Sequence, residues 1–237
     1  MKNRMLLIVF CLFTCAVSAQ TVNKWDYPRG TEEWRTTANK QEKISLCQIP
    51  QKVLNALSTE ELTELCLRYP YVSNVLSFKS LNKGLDQLSE EFNGTEELFK
   101  RQDASKELLK HYQRNLQRLT KAKRLLIRED ILTSISVLEV LLARYHLLNV
   151  DSGEKYREIL QQLVAGYETK NMYADDLRNK NVGLRTNYYS RAILISKISD
   201  ESIEELPDKE KNAALISGYA DDQSRSMIDK MSYKLLK

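Results

Sequence analysis

The 237-residue chain carries 36 Lys and Arg against 32 Asp and Glu, a formal charge of +4. That length fits one domain, or two small ones, with enough core to fold without many covalent staples. Two of the positive charges, Lys2 and Arg4, belong to an N-terminal export pattern. The small basic excess is therefore no argument for nucleic acid, and beyond that pattern no apolar run is long enough to span a membrane.

Residues 1–19 read as a signal peptide. Lys2 and Arg4 form the positive start, Met5 to Phe13 the apolar run, and Val17-Ser18-Ala19 the small residues a signal peptidase needs. Cleavage after Ala19 would place the protein in the periplasm or outside the cell. Lipidation at Cys15 is the alternative, and Thr14 fits poorly before a lipidated cysteine. Cys11 and Cys15 would leave with the signal, so Cys47 and Cys66 remain. Two thiols in an oxidising compartment favour a Cys47–Cys66 disulfide. Closing that loop would stabilise the fold by about 3 kcal/mol; two buried free thiols are the other reading.

Residues 20–237 read as a single all-helical domain, with 20–30 as an N-terminal strap carrying Trp25 and Tyr27. Seven glycines and four prolines, with abundant Leu, Glu and Lys, favour helix. No stretch alternates long enough to make a sheet. Thr31 caps a short helix at Glu32, and a second runs from Ile49 to Leu57. Ser58 and Glu61 form a capping box for a helix that ends near Arg68, ahead of Pro70. Shorter helices fill 71–79 and 81–92. Asn93-Gly94 has the composition of a hairpin turn, but its flanks have no strand period, and Asn93-Gly94-Thr95 matches a glycosylation sequon of little weight.

From Ser105 to Ile127, Leu108, Leu109, Tyr112, Leu116, Leu119 and Leu126 share one helical face. Residues 130–148 are apolar almost all round, which predicts a central, buried helix. Asp151 is expected to cap the next helix, with Tyr156, Ile159, Leu160, Leu163, Val164 and Tyr167 facing inward. Residues 171–190, broken by Asn171, Asn179, Asn181, Gly183 and Asn187, read as a polar connection or frayed helix end. A helix resumes through Ala192 to Ile198, and Pro207 separates two terminal helices, 208–217 and 221–236. The expected fold is all-α: an irregular multi-helix bundle or α-α superhelix of eight to nine helices.

Several short motifs occur in order: Gly30-Thr31-Glu32-Glu33-Trp34, Cys47-Gln48-Ile49-Pro50, Ser58-Thr59-Glu60-Glu61-Leu62, Cys66-Leu67-Arg68-Tyr69-Pro70 and Phe92-Asn93-Gly94. Together they resemble a group of uncharacterised secreted proteins of Gram-negative bacteria, over roughly residues 28–110. The resemblance implies an exported helical protein and transfers no activity and no catalytic residue.

Two surfaces are candidates for binding. Between Lys100 and Arg128 stand ten Lys or Arg and two acids, Asp103 and Glu107. Lys106, Lys110, Arg114, Arg118 and Lys121 step by three or four and so share a helix face, which suits an anionic partner. A solvated face, or pairing with acidic runs elsewhere, is the alternative. The second surface is the polar segment with Tyr173, Asp175, Asp176, Arg178, Tyr188 and Tyr189, where aromatic faces beside carboxylates suit sugars. Glu139 and His146 share a helix without metal-ligand spacing, so no metal and no cofactor is expected. No phosphate loop, nucleophile elbow or dinucleotide fingerprint occurs. The expectation is a non-enzymatic exported interaction module for a protein or anionic glycan partner in the cell envelope. A carbohydrate-active enzyme using carboxylates near 171–190, or a structural envelope protein, are the rivals.

Overall fold

A computed structural model describes residues 25–149, 152–173, 180–198 and 222–237. The signal, Cys15, Asp151, Asp175, Asp176, Arg178 and the helix expected over 208–217 lie outside them. The described residues form an all-helical bundle with no strand. Its elements are α1 (Glu32–Thr36), α2 (Lys40–Leu46), α3 (Gln51–Ala56), α4 (Thr59–Arg68), a 3-10 turn (Val72–Ser77), α5 (Leu81–Glu91), α6 (Asn93–Lys100), α7 (Ala104–Lys121), α8 (Leu125–Leu148), α9 (Gly153–Met172), α10 (Lys180–Ile198) and α11 (Asp222–Leu235). That is eleven α-helices among the described residues, more than eight or nine, because the first hundred residues break into short pieces.

The N-terminal half is a set of short helices joined by the motif residues. Thr31 Oγ1 accepts the Trp34 N–H to start α1, just after Gly30, whose φ of 91° is cheap only without a Cβ. Ser58 and Glu61 form the capping box of α4 in both directions. The Cys47–Pro50 and Phe92–Gly94 motifs meet in space. Asn93 accepts the Ile49 N–H at 3.0 Å and donates to the Ile49 carbonyl at 2.9 Å, while the Gln48 amide bonds Asn93 N–H and the Glu91 carbonyl. Asn93 therefore begins α6 and ties it to the α2–α3 link; it is not the tip of a hairpin. Beneath this joint Tyr69 and Phe92 stack at 4.3 Å, with the Tyr27 ring against both. Tyr27 donates its hydroxyl to the Leu65 carbonyl at 2.8 Å, which fixes the segment before α1 over α4.

No disulfide joins Cys47 and Cys66, which corrects the expected bridge. Both are buried free thiols. Cys47 caps the end of α2, and Cys66 sits within α4 beside Thr95. Each fills a place in the apolar core around Tyr27, so van der Waals packing holds this loop instead of a covalent bond. Burial pushes the Cys47 thiol up to about 11 and Cys66 higher still, which suppresses thiolate chemistry at both.

The C-terminal half is built from long helices. α8 packs against α7 on one side and α10 on the other, and α9 packs against α10. The central helix expected over 130–148 is α8, buried from Ile131 through Ala143 apart from Thr133 and Ser134. Ser152 caps α9, accepting the Lys155 N–H, so the cap lies one residue beyond the position expected.

Residues expected to form a polar connection instead build α10, and from Arg185 to Ile195 every side chain is buried. Two of its polar residues, Thr186 and Asn187, face one carboxylate. Glu139 Oε1 accepts from Tyr112 Oη at 3.1 Å and Asn187 Nδ2 at 2.9 Å, and Oε2 accepts from Lys170 Nζ at 2.6 Å and from Thr186 Oγ1. Ser136 Oγ takes a further bond from Lys170 at 3.2 Å. Both charges of this pair are wholly out of contact with solvent. Burial pulls the Lys170 amine below its usual range, against the Glu139 carboxylate that holds it up. Gly166 makes room for the Tyr112 hydroxyl, since a Cβ there would lie 1.8 Å from that oxygen. A second buried cation, Arg191, pairs with Asp229 at 2.7 Å and donates to Ser232, while Tyr167 and Tyr188 rings cover its guanidinium. These contacts tie α10 to α9 and α11.

Candidate functional site

The buried carboxylate is rich in chemistry but closed. Glu139, Lys170, Tyr112, Thr186 and Asn187 are all buried, so the cluster joins four helices and presents nothing to a ligand. Tyr188 and Tyr189 are buried as well. Tyr188 Oη bonds Tyr167 Oη at 3.0 Å, and Tyr189 Oη donates to Asn82. Tyr173 is half-buried, with the Arg128 guanidinium 5.8 Å from its ring centre. The three tyrosines therefore form no shared aromatic surface. His146 Nε2 lies 3.3 Å from Ser105 Oγ, with its ring edge-on to Tyr145 and Tyr156. No group of three or more His, Cys, Asp or Glu that could hold a metal occurs among the described residues.

The basic face of α7 divides into two parts. Its inner positions, Leu108, His111, Tyr112, Asn115 and Leu119, are buried, which turns the Lys and Arg positions outward. In the first part, Glu60 of α4 accepts Lys110 Nζ at 2.8 Å and lies 3.6 Å from Arg114, while Glu107 also meets Lys110 at 3.4 Å. The Lys110 hydrogen bond holds the Glu60 carboxyl below its usual value. Lys106 is exposed at the near end.

In the second part no carboxylate among the described residues answers the cations. Arg118 is exposed and donates to Asn115 at 3.1 Å. Lys121, Lys123 and Arg124 are exposed and have no ion-pair partner among the described residues. The chain also breaks here, where a continuous helix to Ile127 was expected. Ala122 and Arg124 are extended, α7 ends at Lys121, and α8 starts at Leu125 without a side-chain cap or an acid in its first turn. The break turns Leu125, Leu126 and Ile127 out of the core, to exposures of 48%, 62% and 40%. Three consecutive apolar residues thus stand at the tip of the α7–α8 hairpin, between Lys121, Lys123 and Arg124 on one side and Arg128 on the other. Glu129 and Asp130 follow. Leu126, expected on the inner face, is the most exposed of the three. Helical periodicity assigns any in-phase apolar residue to the core, and only an Arg124-Leu125-Leu126-Ile127-Arg128 run with cations at both ends hints otherwise.

Compared with protein-family models, curated proteins and solved structures, the chain matches none. No helix among the described residues is long and apolar enough to cross a membrane.

Proposed function

We propose that the chain is an exported, non-enzymatic helical interaction module that binds an anionic partner of the cell envelope through the far end of α7. Export is supported by the Lys2–Ala19 pattern. Binding is supported above all by the uneven neutralisation of the basic face: Lys110 and Arg114 rest on Glu60, while Arg118, Lys121, Lys123 and Arg124 face solvent without a carboxylate partner among the described residues. A protein gains little from crowding like charges on its own surface, whereas a polyanion gains from meeting them. Arg124 and Arg128 also flank the start of α8, where the helix dipole is positive and disfavours cations, so an incoming anion relieves both sources of repulsion.

The test is retention on a dextran sulfate column. Replacing Lys121, Lys123 and Arg124 together by Gln should lower the eluting salt concentration markedly. Replacing Lys110 and Arg114 by Gln should lower it much less. Equal loss from both, or no loss from the first, refutes the assignment to this end of the helix.

A further inference from the structure

We infer that the α7–α8 tip docks on an anionic lipid bilayer, with Leu125, Leu126 and Ile127 entering the interfacial layer and Lys121, Lys123, Arg124 and Arg128 meeting the headgroups. This names the partner of the basic end of α7 and rests on that reading. A soluble polyanion accounts for the cations but not for the apolar residues between them. Exposure of Leu and Ile to water at the apex of a hairpin costs free energy, and that cost is recovered in any medium that accepts both hydrocarbon and positive charge. The bilayer interface is that medium: acyl chains take the apolar side chains while anionic headgroups sit level with the flanking cations.

The geometry suits the approach. α7 and α8 pair antiparallel, as the Ser105–His146 and Tyr112–Glu139 contacts show, and the three apolar residues sit in the first turn of α8, just after the short link at Ala122 and Arg124. Lys121, Lys123 and Arg124 pair with no acid among the described residues. Glu129 and Asp130 lie on the core side of Arg128 in sequence, and the four cations bracket the apolar residues. Arg128 is the least available of them, half-buried with Tyr173 against its guanidinium, so it marks the inner edge of the docking surface. Three small apolar side chains and a few cations make a reversible attachment, in keeping with the absence of a membrane-crossing helix among the described residues.

The experiment is sedimentation of the exported, purified protein with vesicles of phosphatidylcholine alone and of phosphatidylcholine with about 30% phosphatidylglycerol, over a range of salt. Partitioning should rise about tenfold or more with the anionic lipid and fall with salt. Changing Leu125, Leu126 and Ile127 together to Ser should reduce vesicle binding to background while leaving dextran sulfate retention intact. Changing Lys121, Lys123 and Arg124 to Gln should reduce both, with vesicle binding falling on the order of a hundredfold at low salt. Because residues 5–13 are apolar too, each measurement compares variants in an identically processed chain. An unchanged helical circular-dichroism spectrum and thermal transition establishes that the variants are folded.

Vesicle binding that survives the serine variant overturns the lipid assignment, as does retention on dextran sulfate without any vesicle binding; in both cases the basic end remains an anion site. Loss of dextran sulfate retention in the parent chain overturns the underlying reading. A parent chain that self-associates, and becomes monomeric in the serine variant without ever binding vesicles, makes the tip a contact between copies and also overturns the lipid assignment.

Discussion

The two halves of the bundle are held together by different physics. From Tyr27 to Lys100, short helices meet through apolar stacking and neutral hydrogen bonds to backbone groups, as at Tyr69–Phe92 and Asn93–Ile49. From Ala104 onward, long helices surround one wholly buried ion pair, Lys170–Glu139, and a second in which buried Arg191 meets the half-buried Asp229. A neutral joint loses about 1 kcal/mol for each hydrogen bond removed. A buried charge that loses its partner costs several times more, because the remaining ion has no water to turn to. The difference teaches that the N-terminal half is stable in small independent increments, while the C-terminal half depends on every member of one network.

Lys170→Met puts this contrast to its hardest test. It strands the Glu139 carboxylate among neutral donors and should cost about 3–5 kcal/mol in urea unfolding. The double change Lys170→Met with Glu139→Leu should recover only part of that loss, since it removes the stranded charge but leaves the buried Tyr112 and Thr186 hydroxyls without their acceptor. A single variant within about 1 kcal/mol of the parent would erase the distinction between the halves. Gly166→Ala comes next. Alanine ordinarily favours a helix interior, but here its Cβ would meet the Tyr112 hydroxyl, so a net loss of about 1–3 kcal/mol is expected. Combining it with Tyr112→Phe should return part of the loss by removing the obstructing oxygen. In the other half, Asn93→Ala removes both bonds to Ile49 and should cost about 1–3 kcal/mol without altering the unfolding of Lys170 variants, since the sites are separate.

A pH dependence sharpens the seam between the halves. His111 lies on the buried face of α7, toward α4, and its Nε2 has no hydrogen-bond partner among the described residues. Burial, with Arg114 adding to it against the weaker pull of Glu64, Glu107 and Glu60, lowers its pKa below the ordinary 6.5. Protonation therefore favours the unfolded chain. The stability that neutral His111 contributes is fully present above pH 6.5 and is lost as the pH falls through the lower folded-state value. His111→Gln should flatten that part of the stability profile, whose slope for one proton cannot exceed about 1.4 kcal/mol per pH unit. The smallest effect is expected at the tip, where the Lys121, Lys123 and Arg124 glutamines should leave stability within about 0.5 kcal/mol of the parent.

The same contrast explains what could be read from the sequence. Caps are local, so Thr31, Ser58 and Glu61 announce α1 and α4 without any knowledge of the fold. The apolar period of α8 and α9 is equally plain. α10 was hidden because Arg185, Thr186, Asn187, Ser190 and Arg191 count as surface residues until Glu139, Asp229 and the Phe78 carbonyl are known to face them. The role of Asn93 was hidden for a related reason, since its partner is 44 residues away. The basic face of α7 was legible as a stripe, but its division into a paired and an open part was not. That division depends on Glu60, which belongs to another helix. The apolar tip escaped altogether because Leu125, Leu126 and Ile127 keep the helical rhythm across a break that carries neither Gly nor Pro.

The absence of a covalent tie at Cys47 and Cys66 gives the N-terminal half an intrinsic clock. Neither sulfur reacts while the core around Tyr27 is closed, for alkylation needs both access and a thiolate, and burial denies both. A maleimide or iodoacetamide label, mapped by peptide mass, therefore records only the excursions in which that core opens. Because Cys47 ends one helix and Cys66 lies within another, the order in which they are labelled reports whether α2 detaches before α4 or the two open together.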